Sequence, residues 1–175
     1  MAKTIKELST LAKKPISIVN GGDVDKIAEQ LVFDWAIELG KHGHTPKPNE
    51  NLFAYNTFKL WQQSGVLDLP VIVGAQPGFG KSTMLTVYLR YMVRNYPDTF
   101  GAIIVKERIE DMKRLADEVN GDKVDGPLFR QDKYAYFIQG FDEDQMTREH
   151  YEEQFTVQSN YNVVIMTKNN SNYKH

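Results

Sequence analysis

The chain has no cysteine. Disulfide frameworks, thiolate zinc sites and cysteine nucleophiles are therefore excluded. Long apolar runs are also missing. The longest are about four residues, such as Ala-Ile-Ile-Val at 102–105, against about 20 for a membrane-crossing helix. The basic amino terminus, MAKTIKELSTLAKK, has no apolar stretch after it, so no targeting segment is legible. The expectation is a cytoplasmic protein with no membrane partner. Neither sign of charge prevails: 21 Lys+Arg stand against 23 Asp+Glu, a net charge of −2. That excludes a uniformly basic nucleic-acid coat and a highly charged disordered tail, and leaves room for a local basic groove. There is no internal repeat and no low-complexity tract. What remains is 175 residues, 41% of them hydrophobic. A chain of this size buries about 70% of its unfolded surface.

The hydrophobic period alternates between short apolar runs and helical spacing. Pro15 to Val19 reads as a strand, Asn20-Gly21-Gly22 as a turn, and Asp23 as an N-cap. Val24, Ile27, Ala28, Leu31, Val32, Trp35 and Leu39 predict an amphipathic helix over 24–39, stopped by Gly40. Residues 41–51 read as a loop, 52–64 as a helix and 69–73 as a buried strand. Helices are predicted at 81–95, 108–119 and 143–158. Buried strands are predicted at 102–105, 134–138 and 162–166. Apolar strands alternating with amphipathic helices mean an α/β fold with a mostly parallel sheet and helices on both faces. Two parts are expected: a helical extension over 1–65 and an α/β domain over 66–175.

Residues 75–82 carry the chemistry: Ala75, Gln76, Pro77, Gly78, Phe79, Gly80, Lys81 and Ser82, with Thr83 next. This fits the phosphate-binding loop pattern, with Ala in the first position. A loop that wraps a phosphate turns successive N–H groups inward, and glycine supplies the dihedrals cheaply. The following helix adds free N–H groups and the positive end of its dipole. Lys81 would reach the β- and γ-phosphates of ATP as the catalytic cation, Ser82 would hold Mg²⁺, and Thr83 would bond the α-phosphate. A strand before and a helix after is the context the motif demands.

Three stretches resemble the first motor domain of superfamily 1 and 2 (DEAD/DEAH-like) helicases, over residues 66–168. They are GAQPGFGKST, then AIIVKERIEDMKRLADEVN at 102–120, then YNVVIMTKNN at 161–170. The resemblance implies a RecA-like P-loop NTPase fold and a nucleic-acid partner, DNA or RNA. It further implies that Lys106 and Arg108, and Thr167 and Lys168, lie at strand ends near nucleic-acid phosphates. Helicases often place an adenine-reading Gln upstream of the loop; the spacing and surroundings of Gln62 and Gln63 do not match that role.

The departure from the family is as informative. Its second motif is an apolar strand ending in Asp-Glu, which holds Mg²⁺ and prepares the attacking water. Here the strands end Val105-Lys106-Glu107, Ile138-Gln139-Gly140 and Met166-Thr167-Lys168. None fits, and the second motor domain with its arginine finger is absent from the sequence. The resemblance thus implies an incomplete domain, an ATP-binding amino-terminal piece of a nucleic-acid-dependent ATPase whose partners include the remaining helicase domains. Hydrolysis by this piece alone is not expected. Two other functions fit a phosphate loop: a stand-alone small-molecule kinase, and a non-catalytic nucleotide-sensing or protein-interaction module. Against the kinase, residues 121–133 offer only Arg130 for a lid. His42-Gly43-His44 reads as a solvated loop, Asp142-Glu143-Asp144 as the acidic first turn of a helix, and Tyr134, Tyr136 and Phe137 as core.

Overall fold

The computed structural model describes residues 21–63, 73–121, 134–138, 147–157 and 161–167. These form five helices and three strands: α1 (Gly21–Lys41), α2 (Pro48–Gln63), α3 (Lys81–Asn95), β1 (Ala102–Lys106), α4 (Ile109–Asn120), β2 (Ala135–Ile138), α5 (Arg148–Val157) and β3 (Val163–Thr167). The chain divides into two compact units, Met1–Met84 and Leu85–His175, with the boundary inside α3.

In the first unit α1 and α2 form an antiparallel hairpin. Val24, Ile27, Ala28, Leu31, Trp35 and Leu39 repeat every three or four residues along α1, and all are buried. Ala54 and Phe58 are buried on α2. Each large apolar side chain so buried contributes roughly 1.5–3 kcal/mol. Polar contacts fix the pairing. Tyr55 donates to the Asp25 carboxylate at 2.6 Å, and Lys59 pairs with the same oxygen. The Gln62 amide donates to the carbonyls of Val24 and Phe58. This buries Gln62 inside the hairpin, away from any role in reading a base.

In the second unit the three strands form a parallel sheet in the order β1-β3-β2. A parallel connection needs a crossover, and α4 and α5 supply the two. The step from β1 passes over β3 to reach β2, and the next step returns. Right-handed crossovers in opposite directions place their helices on opposite faces. Lys113 of α4 lies over the Phe137 ring, 5.9 Å from its centre. The Tyr136 ring stacks on those of its neighbour Phe137 and of Tyr161. Met112, Leu115, Ala116 and Val119 are the buried face of α4. The carbonyl oxygen of Asn120's side chain accepts the N–H groups of Tyr134 and Ala135, and its amide donates to the Ala135 carbonyl. The end of α4 is thereby tied to the start of β2. On β1, Ile103 and Val105 are 63% and 53% exposed.

The structure corrects several boundaries. Gly21 and Gly22 are the first turn of α1 rather than a turn before it, so Asp23 is inside the helix and not its cap. Gly40 does not stop α1, which runs to Lys41. The left-handed residue is Gly43, at φ 77°. The second helix begins at Pro48, where the fixed proline dihedral suits the first helical position. Glu50 reaches back to accept the Lys47 N–H at 2.6 Å, one half of a capping box. The last helix begins at Arg148, because the Thr147 hydroxyl accepts the His150 N–H and starts it there. The strand expected at 15–19, all but Val73 of the one at 69–73, the loop at 122–133 and the acids at 142–144 lie outside the described residues. No helix among the described residues is long and apolar enough to cross a membrane.

Candidate phosphate-binding loop

The loop expected to hold phosphate occupies residues 75–82 between Gly74 and the first turn of α3. Gly78 has φ 91° and Gly80 has φ 64°, both in the region that side chains avoid. Between them stands half-buried Phe79, whose ring meets Phe53 of α2 edge-on, 5.4 Å between centres. The helix begins at Lys81. The Gly80 carbonyl accepts the Met84 N–H at 2.8 Å, which closes the first helical turn. No acidic residue lies in that turn. That turn therefore brings no carboxylate of its own to the positive end of the helix dipole.

Lys81 is exposed, and its ammonium folds back over the loop. It donates to the Ala75 carbonyl at 2.6 Å and to the Gln76 carbonyl at 3.0 Å. The ammonium is thus held against the loop by carbonyls six and five residues before it. Ser82 is exposed and Thr83 half-buried on the same turn. The donor set fits a phosphate: backbone N–H groups, one ammonium and two hydroxyls, with no carboxylate among residues 75–83. It also fits Mg²⁺ held through Ser82 and the phosphates, the sharing this cation prefers to an all-protein cage. Among the described residues no cluster of three His, Asp or Glu side chains could hold a metal by itself.

A cavity of about 410 Å³ opens beside the loop, lined by Asn49, Phe53, Gly74, Ala75, Gln76 and Phe79. The sequence pattern offered no sign that the first turn of α2 would meet the loop, since residues 48–51 read as coil. The indole N–H of Trp35 also reaches the loop, donating to the Gly80 carbonyl at 3.3 Å. Trp35 was legible only as a core position of its helix.

The second group of candidates lies in the other unit. Parallel register makes Lys106 and Thr167 neighbours across β1 and β3, both at the carboxyl end of the sheet. Arg108 follows as the exposed N-cap of α4, with extended backbone and no side-chain capping bond. Its carbonyl accepts the Met112 N–H. Lys168 lies outside the described residues. In open α/β sheets the carboxyl ends of the strands are where ligands bind. Glu107, Glu110 and Asp111 stand beside these cations in sequence, so the local charge is mixed rather than basic.

No protein-family model matches the chain, and no curated protein matches it. What the geometry defines is a small α/β protein: a three-stranded parallel sheet, and a glycine loop leading into a helix that starts with Lys-Ser-Thr.

Proposed function

We propose that this chain binds a nucleoside triphosphate with Mg²⁺ on the loop at 75–82, as part of a nucleic-acid-dependent, helicase-like ATPase with a RecA-like core. One observation carries the nucleotide reading: two left-handed glycines bracket Phe79, and Lys81 folds its ammonium over the loop they shape. Ala75 to Gly80 would wrap the phosphates with backbone N–H groups. Lys81 would pair with the β- and γ-phosphates, Ser82 would share Mg²⁺, and Thr83 would bond the α-phosphate. The bound metal would neutralise charge on the phosphates.

The nucleic-acid reading has separate support. The parallel order β1-β3-β2 sets Lys106 beside Thr167 at the carboxyl edge, with Arg108 at the helix start beside it. Those are the positions the helicase resemblance assigns to the bound strand. None of the three described strands ends in an Asp-Glu pair, so steady hydrolysis is not expected of these 175 residues. In the helicase-like reading a second motor domain would supply an arginine finger.

The test is calorimetric. MgADP and a non-hydrolysable ATP analogue are titrated into the wild type and Lys81→Ala. Saturable binding by the wild type, lost in the variant, supports the reading. A folded wild type that gives no heat of binding overturns it. Transfer of phosphate from ATP to a nucleoside would redirect the proposal to a small-molecule kinase.

A further inference from the structure

The hairpin α1–α2 meets the loop at two adjacent residues, Phe79 and Gly80. Phe53 holds the Phe79 ring edge-on. Trp35, 1% exposed, donates its indole N–H to the carbonyl of Gly80. The Gly80–Lys81 peptide is planar and trans, so its carbonyl and its N–H point in opposite directions. Fixing the carbonyl toward Trp35 and Met84 therefore aims the Lys81 N–H out of the helix end, where an anion would sit. The fit is close. A Cβ at Gly80 would stand 3.0 Å from the Trp35 indole nitrogen and 3.2 Å from a Leu39 methyl. Trp35 thus constrains both the orientation of this peptide and the residue that can occupy its position.

We propose that Trp35 is a positioning residue for phosphate binding, holding the Gly80–Lys81 peptide with its N–H turned toward the anion, so that the helical hairpin registers occupancy of the loop. This rests on the nucleotide reading above. It adds a residue about 45 positions upstream of the loop that no loop motif contains. Filling the loop would draw on the same peptide that Trp35 holds, and the indole would report it.

The chain has two tryptophans, Trp35 and Trp61. Trp61→Phe leaves Trp35 as the sole emitter. Its fluorescence is followed as MgADP is added, and calorimetry with MgADP is run on the wild type, Trp35→Phe and Phe53→Leu. Trp35→Phe keeps an aromatic ring in the core and removes the N–H. The expected results are a saturable change in Trp35 emission that tracks the calorimetric isotherm, and affinity roughly three- to tenfold weaker in Trp35→Phe. Phe53→Leu weakens it by a smaller factor. Circular dichroism checks that each variant is folded. The inference is overturned if the wild type binds MgADP but Trp35 emission does not respond. It is equally overturned if folded Trp35→Phe binds as the wild type does. If the wild type gives no heat, the nucleotide reading itself falls, and this inference with it. The emission experiment needs only Trp61→Phe, so it decides the matter even if Trp35→Phe fails to fold.

Discussion

The Lys81 ammonium lies 2.6 Å from the carbonyl oxygen of Ala75, six residues before it. A lysine on an exposed helix start has water as an easy alternative partner. Here it caps its own loop instead, together with the Gln76 carbonyl. An anion in the loop offers a stronger, charge-assisted partner and would draw the ammonium from the carbonyls.

Lys81→Ala separates binding from stability. The side chain is exposed and its two bonds are local, so the loss of stability stays under about 1 kcal/mol. Affinity for MgADP falls at least about tenfold, the worth of one charged hydrogen bond. Thermal denaturation and calorimetry on the same sample check both halves.

The two loop glycines differ in what surrounds them. A Cβ at Gly78 meets nothing within 4 Å, so Gly78→Ala costs only its left-handed dihedral, about 1–2 kcal/mol. Gly80→Ala adds the approach to Trp35 and Leu39. Its cost is about 2–4 kcal/mol. Melting temperatures should fall in the order wild type, Gly78→Ala, Gly80→Ala.

Asn120 makes three hydrogen bonds to the start of β2. Asn120→Ala strands three partly buried backbone groups of Tyr134 and Ala135. Stability falls by about 2–3 kcal/mol. Urea unfolding should show a lower midpoint at nearly unchanged slope. The variant alters no residue of the loop, so MgADP binding by the folded protein is retained.

Much of this was legible in the sequence because the signals were local. Helix α3 begins and ends where glycine, lysine and the coming Pro97 place it. The three described strands match their apolar runs within one residue, and the Asn120-Gly121 end of α4 matches its pattern, with Gly121 left-handed at φ 79°. The errors arose where a side chain or a proline overrode composition. Gly21 and Gly22 read as a turn yet continue the helix, whose later residues bury a long apolar face. Pro48 read as loop yet opens α2, because Glu50 caps it from inside. The loop motif was visible, but its supports were not. Trp35 and Phe53 reach it from helices whose packing no spacing rule describes, since tertiary contacts at that range leave no periodic trace.

The Glu50 carboxyl is held below the usual carboxylate range, first by the Lys47 backbone N–H that it accepts, while partial desolvation opposes and nearby His44 assists. A depressed folded pKa means the contribution is present above the unfolded value of about 4.3 and lost as pH falls through the lower folded value. The melting-temperature difference between wild type and Glu50→Gln should therefore be positive at neutral pH. It should shrink toward zero in acid. A difference that stays constant through the carboxylate range would rule out this cap as the cause.

The central claim is that residues 75–83 form an anion site, and the amides of the loop report it most directly. Amide proton and nitrogen shifts of the ¹⁵N-labelled chain are recorded as MgADP is added. The account predicts that the largest shifts fall on Gly78, Gly80, Lys81 and Ser82, that the Trp35 indole N–H moves with them, and that Lys81→Ala removes the response. Saturation with these amides unmoved, or shifts gathered elsewhere in the chain, would contradict it.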